Sequence, residues 1–250
     1  MSVLVTGAGR GIGEATARLM AQRGFEVAVT DIDERAATHV AEEIGAVGLK
    51  LDVTSRESIR QAILAAEEAL SPLEGWVSNA GVSSMIAFLD MPDDEWQRML
   101  AVNETGVFYC GQEFARHLVA AGRPGAIVNV ASMAAKQGNV PYLSHYIASK
   151  FAVVGLTQAM AYELGPHGIR VNSVCPGWVA TAMQERELVW EGELRGMTPE
   201  QVRRTFIDNT PLGRVESGDD VARTIAFLLG PDAVFVTGEA LNINGGAFMD

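Results

Sequence analysis

Val3-Leu4-Val5-Thr6-Gly7-Ala8-Gly9-Arg10-Gly11-Ile12-Gly13 sets the terms for the rest of the chain. A short β-branched run meets four glycines at alternate positions. Residues 14–23 then carry helical periodicity, with Ile12, Ala15, Leu19 and Met20 on one side. Strand, glycine-rich turn and helix form a phosphate-binding unit. Glycines let the backbone pass close to a pyrophosphate, and the helix N-terminus supplies unpaired N–H groups and a positive dipole end. Gly7, Gly11, Ile12 and Gly13 are the candidate contacts. A tight turn that binds nothing is the plain alternative.

Strand and helix patterns alternate outward from there. Glu26-Val27-Ala28-Val29-Thr30 reads as a second strand closed by Asp31, which lies 18 residues after Gly13. An acidic side chain there accepts hydrogen bonds from an adenosine ribose and repels a 2′-phosphate, favouring NAD over NADP. Arg10 pulls the other way, because a guanidinium beside the turn suits that phosphate. A helix over Glu34–Ile44 leads to a third strand near 46–51. Asp52-Val53 follows at the carboxyl edge, where ligands bind in open α/β sheets. Asp52 can accept from an adenine amino group, cap the helix that Thr54-Ser55-Arg56-Glu57 begins, or do both. Gly75-Trp76-Val77-Ser78 runs into Asn79-Ala80-Gly81, small residues that allow a nucleotide close approach.

Residues 93–121 read as one long helix interrupted by Asn103, a residue type that in mid-helix usually faces solvent. Gly125-Ala126-Ile127-Val128-Asn129-Val130-Ala131 has the apolar character of a central parallel strand and ends at Ser132. A helix through 146–164 and a strand from Ile169 to Val174 follow. Cys175-Pro176-Gly177 then turns outward towards Val179 and Thr181. Residues 182–212 break the alternation and read as short helices over the ligand edge, a lid or an oligomer contact. A helix over 217–229 and the strand Leu241-Asn242-Ile243 close the pattern. The order implies an α/β Rossmann fold: a doubly wound, seven-stranded parallel sheet with helices on both faces. Without a Pro/Ser-rich linker or internal repeat, residues 1–250 read as a single domain.

Tyr146 and Lys150 are four residues apart, one turn along one helix face. An ammonium about 5 Å from a phenol, at an effective dielectric near 20, favours the phenolate by roughly 3 kcal/mol. That amounts to about two pKa units. The spacing therefore predicts a tyrosine able to exchange a proton with an alcohol near neutrality.

The net charge of −12 argues against nucleic acid or an anionic membrane as partner. Two cysteines, Cys110 and Cys175, lack metal-ligand spacing and suit a reducing, cytoplasmic setting; no cluster suggests a metal. The N-terminal stretch reads as a strand rather than a signal peptide, and no apolar run reaches the ~18 residues of a membrane span.

Together these motifs resemble the short-chain dehydrogenase/reductase family in its compact form, over essentially the whole chain. Thr6 to Gly13 match its TGxxxGxG, Asn79-Ala80-Gly81 its NAG, Tyr146 and Lys150 its YxxxK. Pro176-Gly177 and Thr181 match its PG…T. The family usually has a second Asn before NAG, where this chain has Ser78. The resemblance implies that Tyr146 is the general acid/base and that Ser132 holds the substrate oxygen. It implies that Lys150 lowers the tyrosine pKa and binds the nicotinamide ribose, and that Asn103 fixes a water linking Lys150 to solvent. It also implies a homotetramer built on the long helices. The resulting expectation is an NAD-dependent dehydrogenase of a secondary alcohol, its substrate a polyol or sugar-derived alcohol. Gln137, Asn139, Trp178 and Trp190 are candidate substrate contacts. An NADPH-dependent 3-ketoacyl-type reductase and a non-catalytic, cofactor-sensing regulator are the alternatives.

Overall fold

The computed structural model describes every residue except Ser71. Seven parallel strands form one sheet in the order β3-β2-β1-β4-β5-β6-β7. They are β1 (Ser2–Val5), β2 (Glu26–Asp31), β3 (Val47–Lys50), β4 (Leu73–Ser78), β5 (Gly125–Val130), β6 (Ile169–Pro176) and β7 (Ala240–Ile243). The helices are α1 (Gly11–Gln22), α2 (Glu34–Ile44), α3 (Arg56–Ala69), α4 (Asp93–Leu100), α5 (Gly106–Ala120), α6 (Ser144–Leu164), α7 (Ala182–Arg195), α8 (Pro199–Asp208) and α9 (Gly218–Leu229).

Alternation along each strand divides the core between the two sheet faces. Val3, Val5, Val77 and Val128 join Met20 of α1, Val40 of α2 and Ile225 of α9 on one face. Leu4, Trp76 and Ile127 join Ile59 of α3 and Phe114 of α5 on the other. Trp76 is fully buried, its ring 5.4 Å from that of Phe114. Its indole N–H donates to the Ser78 hydroxyl at 3.1 Å. That bond occupies the position where the family usually carries a second Asn.

The strand order reverses between β1 and β4, and the chain is stitched together there. Thr6 Oγ1 accepts from the backbone N–H groups of Asn79 (2.9 Å) and Ala80 (3.0 Å). Asn79 Nδ2 donates back to the carbonyls of Thr6 (2.8 Å) and Gly7 (2.9 Å). A crevice outside the carboxyl ends of the strands at such a reversal is where open α/β sheets bind ligands.

Three expectations change in this framework. The stretch 93–121 is three pieces rather than one helix, because a π-turn at Ala101–Thr105 separates α4 from α5. Asn103 sits within that turn and is fully buried rather than solvent-facing. The helix after β3 takes its cap from Ser55, whose side chain accepts from Ser58 N–H. Asp52 instead accepts from the N–H and hydroxyl of Thr54.

Candidate active site

A cleft of about 960 Å³ opens at the carboxyl edge of the sheet. It is lined by Gly7, Arg10, Gly11 and Ile12 of the first turn, and by Asp31, Asp52, Val53, Asn79 and Gly81. Ser132, Tyr146, Lys150, Pro176, Val179 and Thr181 also line it.

The first turn is shaped by close approach. Gly7 has φ +62, and a Cβ there would meet Ala80 Cα at 2.7 Å. Gly13 is not on the cleft wall. A Cβ there would come within 2.4 Å of both Asn79 Nδ2 and the Gly7 carbonyl, so its bareness lets α1 pack on the β1–β4 junction. Arg10 occupies the N-cap of α1 in an extended conformation and provides no side-chain cap. The first-turn N–H groups therefore have no side-chain acceptor, which suits an anionic group. Asp31 is buried, its Oδ2 accepting from Gly9 N–H (3.1 Å) and its Oδ1 from Asp33 N–H (3.0 Å). An extended cleft, an uncapped helix start, close backbone approach and a carboxylate at the end of β2 together fit a dinucleotide.

The polar centre is assembled from four elements. Ser132 lies just beyond β5, and its hydroxyl accepts from Ala134 N–H at 3.1 Å. Tyr146 and Lys150 are on α6. The lysine ammonium is fixed by the Val130 carbonyl at 2.9 Å and lies 5.6 Å from the tyrosine ring centre. Asn103 lies behind the wall, not on it. Its side chain exchanges hydrogen bonds with the backbone of Val82, at 2.8 Å from N–H and 2.9 Å to C=O, and reaches Ser149 at 3.4 Å. It thus ties the π-turn to α6 and to the loop following Gly81.

The Tyr146–Lys150 spacing does not by itself acidify the phenol here. Burial pushes the Tyr146 pKa up, the negative charge of Glu187 adds to the rise, and the Ser132 hydroxyl opposes it. Burial also lowers Lys150 to about 8. The spacing argument counted charge–charge attraction and left out desolvation of both partners, which here is the larger effect.

Helices α7 and α8 cover the outer half of the cleft. Thr181 caps α7 by accepting from Gln184 N–H, and Thr198 with Gln201 forms a capping box at α8. Gln137, Asn139 and Trp178 line this half, and Trp178 stacks on Phe206 with centroids 4.6 Å apart. Trp190 does not line it; its ring lies 5.8 Å from the Arg186 guanidinium, beside a smaller neighbouring cavity. Two residues the sequence did not single out are prominent: Glu187 lines the cleft, and Ser83 hydroxyl donates to its Oε1. They are 104 positions apart, so no local pattern could have joined them.

The family profile described as enoyl-(acyl carrier protein) reductase matches residues 7–247. A short-chain dehydrogenase/reductase from Armillaria gallica is 37% identical over 99% of this chain and 95% of its own length. The chain is a short-chain dehydrogenase/reductase. Among other relatives of this dehydrogenase, the mouse (3R)-3-hydroxyacyl-CoA dehydrogenase is 36% identical over 98% of this chain and 95% of the relative. The crystal structure of sorbitol-6-phosphate 2-dehydrogenase from Erwinia amylovora superposes with a TM-score of 0.95. It is 31% identical and covers 100% of both chains. The protein is accordingly an NAD(P)-dependent oxidoreductase acting on CH–OH groups. Among the described residues, no helix is long and apolar enough to cross a membrane, and no His, Cys, Asp and Glu side chains gather as a metal site.

Proposed function

We propose that this dehydrogenase uses NAD to interconvert a secondary alcohol and its ketone, with a polyol or sugar-derived alcohol as substrate. The observation that carries the cofactor choice is the Asp31 carboxylate, buried at the end of β2 and lining the cleft. A fixed negative charge there opposes a 2′-phosphate and accepts from ribose hydroxyls. The nicotinamide, when bound, supplies the hydride acceptor. Gly7, Gly11, Ile12 and the start of α1 hold the pyrophosphate, and Gly13 keeps that turn in place. Asp52, Val53, Asn79 and Gly81 flank the adenosine half, while Pro176, Val179 and Thr181 flank the nicotinamide half.

Ser132 donates to the substrate oxygen and steadies charge developing on it. Tyr146 removes the alcohol proton, or returns it in the reverse direction. Lys150 holds the nicotinamide ribose and stabilises the phenolate. Asn103 braces α6 through Ser149 and fixes the water that connects Lys150 with solvent. The polar lining from Gln137, Asn139, Gln184 and Asn209 favours a hydroxylated substrate over a hydrophobic ketone. Residues 1–250 act as a single domain in which 182–212 serve as a lid.

The assembly we propose is a cytoplasmic homotetramer. Phe108 and Val119 on α5 and Phe151 and Tyr162 on α6 are exposed apolar side chains that a partner helix pair would cover. Arg10 favours the rival NADPH-dependent 3-ketoacyl-type reductase, since it is exposed on the same wall. Its side chain makes no hydrogen bond among the described residues, whereas Asp31 is buried and held by two, so the NAD reading is preferred.

Tyr146→Phe tests the assignment. Turnover across a panel of polyols, sugars, hydroxy acids and hydrophobic ketones should vanish while NADH fluorescence still reports binding. A variant retaining a tenth of wild-type activity removes Tyr146 from the chemistry. Activity confined to the hydrophobic members removes the polyol reading.

A further inference from the structure

Helix α7 turns four charged side chains towards the cleft or its rim, and three of them are already engaged. Glu191 is paired with Arg195 at 2.9 Å, and the Arg186 guanidinium lies 5.8 Å from the Trp190 ring. Glu187 has no cation within ion-pair distance among the described residues. Its Oε1 takes the hydroxyl of buried Ser83, and its Oε2 accepts no hydrogen bond from them. A carboxylate has about four acceptor positions, so one oxygen is anchored and the other is left for a donor. The residue lines the same cleft as Ser132 and Tyr146 and is near enough that its charge acts on the phenol.

We propose that Glu187 is the substrate-recognition carboxylate, its Oε2 accepting a hydrogen bond from a second hydroxyl on the carbon beside the reacting carbinol. The site then selects vicinal diols and polyols over simple secondary alcohols. This rests on the secondary-alcohol dehydrogenase reading above and narrows it. Glu187 is half-buried, and an acceptor placed for a hydroxyl discriminates against an analogue that lacks one, because the acceptor then loses its donor. An ether or methyl group at that carbon offers no donor, and a second carboxylate there would face like charge. Ser83 acts as the positioning residue, holding the carboxylate against the wall formed after β4 rather than letting it swing with α7.

The groups facing Glu187 are Glu191 and Arg186 on its own helix, Ser83 on the loop after β4, and Tyr146 on α6. Lys150 and Cys175 lie beyond the phenol. Burial raises the Glu187 pKa and Glu191 adds to the rise, while the Ser83 hydroxyl and Arg186 oppose it. Removing its charge lowers the pKa of every titrating group it faces. A purely structural residue on α7 would not move that titration.

The test uses the intact enzyme with NAD and two probes on one carbon skeleton, 2-butanol and 2,3-butanediol. Wild type should favour the diol in kcat/KM. In Glu187→Gln the diol-over-alcohol ratio should fall by about tenfold, and further in Glu187→Ala, on the scale of a charge-assisted hydrogen bond. The acid limb of the kcat/KM profile should also move to lower pH in Glu187→Gln. Should the alanine variant fail to fold, the isosteric glutamine variant, which can still accept from Ser83, decides the matter. An unchanged ratio, or a limb that does not move, overturns the role of Glu187. Wild-type turnover of 2-butanol without diol preference overturns it too while leaving the secondary-alcohol reading intact. Turnover of neither alcohol, with NADH still bound, overturns both.

Discussion

Replacing Asp31 with Asn changes a charge while keeping the shape, and the structure says what else it changes. The two carboxylate oxygens of Asp31 hold the N–H groups of Gly9 at 3.1 Å and Asp33 at 3.0 Å. Asn keeps one acceptor and puts an NH2 where the other stood, so one bond to the glycine turn or the β2–α2 turn is lost. The loss of one such bond costs about 1–2 kcal/mol, or roughly 2–8 °C in Tm for a chain of this size. The cofactor effect is electrostatic. A phosphate charge about 5 Å from the carboxylate, at an effective dielectric near 20, is opposed by roughly 3 kcal/mol, about a hundredfold in binding. Solvent at the cleft mouth reduces this. The ratio of kcat/KM for NAD over NADP, measured with one alcohol, should therefore fall by about 10- to 100-fold in Asp31→Asn. Thermal unfolding of the same samples separates the two effects. A wild type that uses both cofactors equally, or a folded variant with an unchanged ratio, refutes the reasoning.

Two further outcomes follow from packing and burial. Gly13→Ala drives a methyl group to 2.4 Å from the Gly7 carbonyl, which is backbone and cannot swing away. It should cost about 1–3 kcal/mol of stability and weaken NADH binding, read by fluorescence titration; a variant that melts and binds like wild type refutes the packing account. Glu216 is buried against the Pro176-Gly177 turn, accepting from Gly177 N–H at 2.8 Å through Oε2, and its Oε1 has no partner among the described residues. Burial lifts its pKa to about 8. The folded protein keeps a proton that the unfolded chain releases near 4.5, so stability is lost as pH rises between those values. Glu216→Gln should remove that term and raise Tm relative to wild type by more at pH 8 than at pH 5. Parallel Tm curves for the two proteins would show that Glu216 is not titrating in this range.

Much of the fold was legible because parallel strands buried on both faces leave short apolar runs, and because Gly and Pro punctuate the turns between them. The bounds of α2 were read directly from Glu34–Ile44. The Tyr146 helix and the short helices within 182–212 also lie where the pattern placed them. The π-turn at Ala101–Thr105 was not legible, since one shifted hydrogen-bond register leaves the apolar periodicity of 93–121 almost unchanged. Asn103 was accordingly misplaced by its residue type, and the family resemblance alone drew it inward. Trp190 misled because aromatic content does not say which side of a short helix faces the cleft. Ser83 and Glu187 were invisible for a different reason: their relationship exists in the closed fold and nowhere along the chain.

The Tyr146–Lys150 pair illustrates the limit of spacing arguments. Four residues of helix bring the two groups to one face, but where the ammonium settles depends on what else is there to receive it. In this cleft the Val130 carbonyl takes it at 2.9 Å. Burial then disfavours both ionised forms, raising the phenol and lowering the ammonium to about 8. A lysine so lowered exchanges its proton close to neutrality and cannot be treated as a permanent positive charge beside the tyrosine. The proton that leaves the alcohol enters a coupled pair, and an apparent pKa in a rate profile belongs to that pair and not to Tyr146 alone. Glu187, Cys175 and Ser132 are part of the same balance. The geometry therefore assigns acid–base tuning to the whole polar centre, with the YxxxK spacing supplying its two proton-bearing members and the surrounding burial setting where they titrate.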